Sequence, residues 1–167
     1  TDPRMKTLLI IYHAITGGSK AMAQAVAEGA GTEAGARIVL LHASEATEQQ
    51  MLHAEGYVFI TPETLGSMAG LMKDLFDRTY YPVLDKITGR PYSVLVCAGS
   101  DGQGAVRQIQ RIVTGWRLNL IAEPMIVCTH AQTPGDILAP KIINPGDLQR
   151  CQELGAAFAC GLAMGLF

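Results

Sequence analysis

The stretch Met5–Ala30, MKTLLIIYHAITGGSKAMAQAVAEGA, holds an apolar run, a small polar turn and an alanine-rich segment in that order. Met5–Tyr12 is short, continuous and rich in Leu and Ile, which reads as a strand buried on both faces. Met22, Ala23, Val26, Ala27 and Ala30 then recur at helical spacing, so the strand feeds straight into a helix. The turn between them, His13-Ala14-Ile15-Thr16-Gly17-Gly18-Ser19-Lys20, puts two hydroxyls and two glycines at the N-terminus of that helix. Unpaired backbone donors and the positive dipole end favour an anion there, and glycine lets the backbone approach it closely. The same residues also suit a plain N-cap and a tight turn.

Outward from this stretch, strands and helices alternate. Gly31 and Gly35 stop the first helix, and Ala36–His42 (ARIVLLH) reads as a second buried strand. Ser44, Thr47 and Glu48 form a helix-start signature ahead of Met51 and Leu52. Gly56–Thr61 (GYVFIT) is the third strand, ended by Pro62; Pro62–Gly66 is then a loop leading to a helix with apolar positions Met68, Leu71, Met72, Leu75 and Phe76. Tyr92–Ala98 (YSVLVCA) is the fourth strand and runs into a second glycine-rich turn, Gly99-Ser100-Asp101-Gly102-Gln103-Gly104. Val106, Ile109, Ile112 and Val113 mark the next helix. Leu120–Cys128, interrupted by Pro124, is the fifth strand, and Asp147–Met164 the closing helix.

Continuous apolar strands alternating with helices specify an α/β fold: a doubly wound, five-stranded parallel sheet with helices on both faces. Two strand orders compete, and the polar loops discriminate between them. In the order 2-1-3-4-5, strands one, three and four are neighbours, so Ala14–Ser19, Pro62–Met68 and Gly99–Gly104 open on one crevice. A dinucleotide fingerprint needs G-x-G-x-x-G after the first strand and an acidic residue ending the second, where this chain has T-G-G-S-K and His42. A P-loop needs Gly before Lys20, and Ser19 stands there.

The 167 residues suit one domain, spanning 5–167, able to bury roughly 70% of its unfolded surface. Thr1–Arg4, ahead of Met5, reads as an appended remnant with no part in the fold. A formal charge of -2 with no dense run of Lys and Arg argues against nucleic acid. No apolar stretch reaches the ~20 residues of a membrane span and no signal-like segment is present, so the expectation is no membrane association and a cytoplasmic protein. Cys97, Cys128, Cys151 and Cys160 form no C-x-x-C and read as buried free thiols; no metal-ligand spacing occurs among His13, His42, His53 and His130.

At this point the chain resembles the flavodoxin-like proteins, and within them the NAD(P)H-dependent FMN reductases and the quinone oxidoreductases of the tryptophan-repressor-binding-protein type. The most specific match is Pro62-x-x-x-Gly66-x-x-x-Gly70-x-x-Lys73-x-x-x-Asp77, and the likeness covers nearly the whole chain. It implies FMN as cofactor and NAD(P)H as co-substrate. The phosphate would lie on the first loop, His13, Ala14, Ile15, Thr16, Gly17, Gly18 and Ser19. The flavin ring would lie between Pro62, Glu63, Thr64, Leu65, Gly66 and the turn Gly99, Ser100, Asp101, Gly102, Gln103, Gly104. Two departures stand out: Ala14 where the family commonly has Ser or Thr, and Thr64-Leu65 where it often has an aromatic pair.

The implied function is an FMN-dependent oxidoreductase passing electrons from NAD(P)H to a quinone or similar small-molecule acceptor, with no catalytic side chain required. A flavodoxin-type carrier and a cofactor-free binding module are the alternatives. Ser100 and Asp101 are candidates to contact the ring, with Asp101 equally a helix cap. His13 and His130 fall near strand ends where they could meet substrate, though loop histidines are commoner, and Glu63 by default is a solvated carboxylate. Asp77–Pro82, with Tyr80 and Tyr81, reads as an interface for a homodimer or homotetramer.

Overall fold

The computed structural model describes residues 5–167; the remnant expected at Thr1–Arg4 lies outside them. The strands are β1 (Lys6–Tyr12), β2 (Ala36–His42), β3 (Gly56–Thr64), β4 (Ser67–Met68), β5 (Pro91–Ala98), β6 (Asn119–Leu120) and β7 (Met125–Cys128). The helices are α1 (Gly18–Ala30), α2 (Glu48–His53), α3 (Gly70–Val83), α4 (Gln103–Gly115), α5 (Pro134–Leu138) and α6 (Pro145–Ala163).

The sheet order is β2-β1-β3-β5, with β6 and β7 both on the outer edge of β5 and all of these pairs parallel. The five expected positions are therefore occupied in the expected order, but by seven strands. Two residues of β4 fold back antiparallel on β3, and the fifth position is split. The split follows from Pro124. Between the two pieces β5 advances from Tyr92 to Leu95 while its partner advances from Leu120 to Met125, so two extra residues bulge out where a prolyl nitrogen cannot donate.

Two apolar layers sandwich the sheet. Leu8, Ile10, Val58, Ile60 and Leu95 meet α1 and α6 on one face, through Met22, Val26, Cys151 and Phe158. Leu9, Ile11, Phe59, Val94 and Val96 meet α2, α3 and α4 on the other, where Trp116 packs against Phe76 and Tyr80. Helices α1 and α6 cross at glycines: a Cβ on Gly155 would run into the Val26 carbonyl, and one on Gly29 into that of Gln152. The four cysteines are free thiols, Cys97 and Cys151 buried and the other two half-buried. Among the described residues no helix is long and apolar enough to cross a membrane.

Candidate functional site

The carboxyl ends of β1, β3 and β5 open on a cavity of about 500 Å³. Its walls come from Ile15, Thr16, Gly18 and Ser19 of the first loop, Pro62–Gly66, Cys97–Ser100, and a segment after β7 reaching Lys141. The three loops singled out in the sequence thus meet around one space.

The first wall is the N-terminus of α1. Gly17 sits at φ 94 and turns the chain into the helix, a conformation that favours glycine. The first helical bond runs from the Ala21 N–H to the Gly17 carbonyl at 3.0 Å, leaving the N–H groups of the opening turn aimed outward. Gly18 has no room for a side chain, since a Cβ there would stand 2.7 Å from the Cys97 sulfur. The hydroxyl of Ser19, a residue only 2% exposed, has no hydrogen-bond partner in the protein. A buried hydroxyl without a partner on an open helix N-terminus suits an anion.

The second wall corrects the expectation that Pro62 ends β3. The strand continues to Thr64 and turns back through Leu65 (φ 52) and Gly66 (φ 78) into β4, with Glu63 opposite Met68 and Thr64 opposite Ser67. Proline is tolerated because Ile60, two residues back, turns its carbonyl to β1 and accepts from the His13 N–H at 3.1 Å, so Pro62 points its nitrogen the same way, past the end of β1, while β3 still pairs with β5, Pro62 opposite Cys97. Two positive φ values in succession are the pattern of a tight I′ hairpin. The tip is fully exposed Leu65.

Glu63 is no solvated carboxylate. Its Oε1 accepts from the Gly102 N–H at 3.0 Å and its Oε2 from the Ala105 N–H at 3.3 Å, so β3 caps α4. The Gln108 side chain accepts from the Met68 N–H at 2.8 Å, and the Gly66 carbonyl lies where a Cβ on Gly104 would be. The hairpin is thereby fastened to α4. Gly102, Gln103 and Gly104 build this junction, and Asp101 accepts from the Gln103 N–H at 3.3 Å; these four lie outside the cavity lining.

The third wall was missed. Thr129 and His130 donate their N–H groups to the carbonyls of Ala98 and Gly99, both at 2.8 Å, and the chain then crosses the cavity through Ala131, Gln132 and α5. It ties back to the first loop where the Lys141 N–H donates to the Thr16 carbonyl at 2.8 Å. The Lys141 ammonium donates to the carbonyls of Asp136, Ile137 and Ala139 at 2.6–2.8 Å, closing the C-terminus of α5. The segment has no apolar periodicity; Thr133-Pro134 before Asp136, a cap followed by proline, was its only signal.

Neither histidine proposed near substrate lines the cavity. His13 instead hydrogen-bonds His42 at 2.8 Å, on the β2 side, and His130 is exposed at φ 60. Ala14 and Gly17 also fall outside the lining. Cys97, unremarked as a site residue, does line it; burial raises its thiol pKa, with Lys141 acting weakly the other way. In the segment read as an interface, Arg78 donates to the carbonyls of Ala43 and Ala46, Thr79 is buried and Tyr80 stacks on Trp116, leaving Tyr81 as the exposed aromatic.

An α/β sheet with its cleft at the carboxyl ends of β1, β3 and β5 and a glycine-rich helix N-terminus in one wall defines a flavodoxin-like protein. Residues 41–132 match the family model of the NADPH-dependent FMN reductases, just over half of the chain, and the chain belongs to that family. A flavodoxin of Aquifex aeolicus is 35% identical over 100 residues, covering 60% of this chain; the match spans about half of that relative, 52% of its length. Among solved structures, a flavodoxin from the domain Archaea superposes with a TM-score of 0.77 at 17% identity, over 93% of this chain and 98% of that one. The WrbA-like flavodoxin of Agrobacterium tumefaciens gives 0.71 at 16% identity, over 95% and 98%. The Flv1 flavodiiron core of Synechocystis gives 0.74 at 18%, covering 98% of this chain and 37% of that larger one.

Proposed function

We propose that the cavity binds FMN and that the chain passes electrons from NADH or NADPH to a quinone or similar small acceptor. The observation that carries this reading is the unpartnered, buried Ser19 hydroxyl beside the open N–H groups of α1. A phosphate monoester would satisfy both. The rest of the lining is backbone and small or apolar side chains, from Pro62, Thr64 and Leu65 on one side to Ala98, Gly99 and Ser100 on the other, which suits a flat ring. Membership of the FMN reductase family and the flavodoxins among the similar proteins support the same cofactor.

FMN supplies the redox chemistry once bound. The chain's part is to hold it and leave it approachable. Thr16, Gly17, Gly18 and Ser19 hold the phosphate; Pro62–Gly66 and Gly99–Ser100 flank the ring. Thr64 and Leu65, in place of larger aromatics, leave room for a nicotinamide and then an acceptor at one face. The segment Thr129–Lys141 keeps water from the third side.

Titrating the apoprotein with FMN and FAD tests the binding half. The cradle has no adenine-binding extension, so FMN binds much more tightly, and equal affinities overturn the assignment. Mixing the FMN-loaded protein with NADH or NADPH tests the rest: the flavin's visible absorbance bleaches and an added quinone restores it. The flavodoxin of Aquifex aeolicus favours a second reading, an electron carrier, for which neither nucleotide causes bleaching. A net charge of -2 speaks against the acidic docking surface such a carrier uses. Assembly into a homodimer or homotetramer through the face bearing Tyr81 belongs to the same proposal.

A further inference from the structure

The first loop brings hydroxyls and N–H groups to its anion but no positive side chain, for Lys20 is exposed and outside the lining. A phosphate monoester carries a charge near -1.5 to -2 at neutral pH, and a helix N-terminus offers roughly half a positive charge. Among the described residues, two charged side chains line the cavity, Glu63 and Lys141. Glu63 is negative and engaged by α4. Lys141 is the remaining candidate, and its backbone is built into the cradle. Its N–H is bonded to the Thr16 carbonyl, and its Cβ lies 3.4 Å from where a Gly18 side chain would begin.

We infer that Lys141 supplies the counter-charge to the phosphate and makes the site prefer FMN to the phosphate-free flavin, riboflavin. The inference rests on the FMN reading given above. The partially buried stem is fixed at the cradle, while the ammonium rests on the carbonyls of Asp136, Ile137 and Ala139. These are neutral acceptors, so the full positive charge stays uncompensated by any carboxylate bonded to it. With ligand bound, the charge acts on the phosphate through the cavity that Lys141 lines, its three donors still on the α5 carbonyls, and offsets the hydroxyl that Ala14 does not provide. The same lysine closes α5, so phosphate binding and the seating of this strap are coupled through one side chain.

The test is titration of the apoprotein with FMN and with riboflavin, followed by quenching of flavin fluorescence, for the wild type, Lys141→Met and Lys141→Arg. Loss of the positive charge lining the cavity raises the FMN dissociation constant of Lys141→Met about tenfold or more and leaves riboflavin within about twofold. Lys141→Arg keeps most of the preference, and added salt weakens FMN more in the wild type than in Lys141→Met. If Lys141→Met weakens both flavins equally and lowers the melting temperature, the lysine is only a strut for α5 and the inference is wrong. If the wild type binds FMN no more tightly than riboflavin, the phosphate reading of the cavity falls first and takes this inference with it. A wild type that prefers FMN with a Lys141→Met variant of unchanged preference sinks this inference alone.

Discussion

The Nδ1 of His13 lies 2.8 Å from the Nε2 of His42, and a single proton joins the two rings. The Nδ1 of His42 accepts from the Ser44 N–H at 3.2 Å, which assigns the shared proton to His42 Nε2 and makes His13 the acceptor. The pair ties the ends of β1 and β2 together just before the chain enters the first wall of the cavity.

Burial, and after it the neighbouring His42, hold the His13 pKa below the usual 6.5. The unfolded chain takes up this proton near pH 6.5 and the folded chain only at lower pH, so in that window the folded state binds fewer protons. Stability is fully present above pH 6.5 and declines as the pH falls toward the folded value. In His42→Gln the second cause is gone and the first remains. The His13 imidazole resonance is expected to titrate below 6.5 in the wild type and closer to it in the variant; identical midpoints would show that His42 does not act on His13.

Glu63→Ala leaves the N–H groups of Gly102 and Ala105 without their acceptor and is expected to cost about 1–2 kcal/mol, with Glu63→Gln costing less because one oxygen remains. Urea unfolding of the flavin-free protein measures it. A midpoint that does not move in Glu63→Ala would mean that α4 is capped by water instead.

The difference between Glu63 read from sequence and Glu63 in the fold shows where local patterns stop. Apolar runs and helical spacing identified the five strand positions, because each depends on neighbours along the chain, and the polar loops after the first, third and fourth strands chose between the two orders those positions allow. The Gly17–Gly18 turn was legible for the same reason. The Glu63 cap joins residues 39 and 42 apart, and no periodicity announces it. Pro62 signals a strand end locally, yet pairing with β5 and the return of β4 carry β3 two residues further. The strap from Thr129 to Lys141 is polar and aperiodic, so its place over the cavity comes from bonds to Ala98, Gly99 and Thr16, which only the folded chain brings near.

Leu65 is held at φ 52 with its side chain fully in solvent, a conformation that costs a branched, bulky residue and gains it no burial. Asn suits this hairpin position, and Leu65→Asn is expected to stabilise the flavin-free protein by about 1 kcal/mol. The leucine also lines the cavity mouth, where it would meet an apolar acceptor. The same variant should therefore raise KM for a quinone while FMN stays bound. A variant that is no more stable, or one more stable with unchanged KM, would separate the two halves of this argument.

Ser19 offers the sharpest contrast between stability and binding. Its hydroxyl is buried without a partner, so the free protein carries a desolvated donor and acceptor that nothing repays. Ser19→Ala removes that group and leaves its Cβ in place, so the flavin-free fold is expected to be unchanged or more stable by up to about 1 kcal/mol. A structural N-cap behaves in the opposite way, losing about 1 kcal/mol on the same replacement, but no side chain caps α1 here. With FMN present the sign reverses: the phosphate loses a donor, and affinity falls on the order of tenfold. Melting temperatures with and without saturating FMN read both effects in one experiment. A Ser19→Ala protein that melts lower without flavin and binds FMN as tightly as the wild type would make the serine a structural residue and remove the phosphate from the N-terminus of α1.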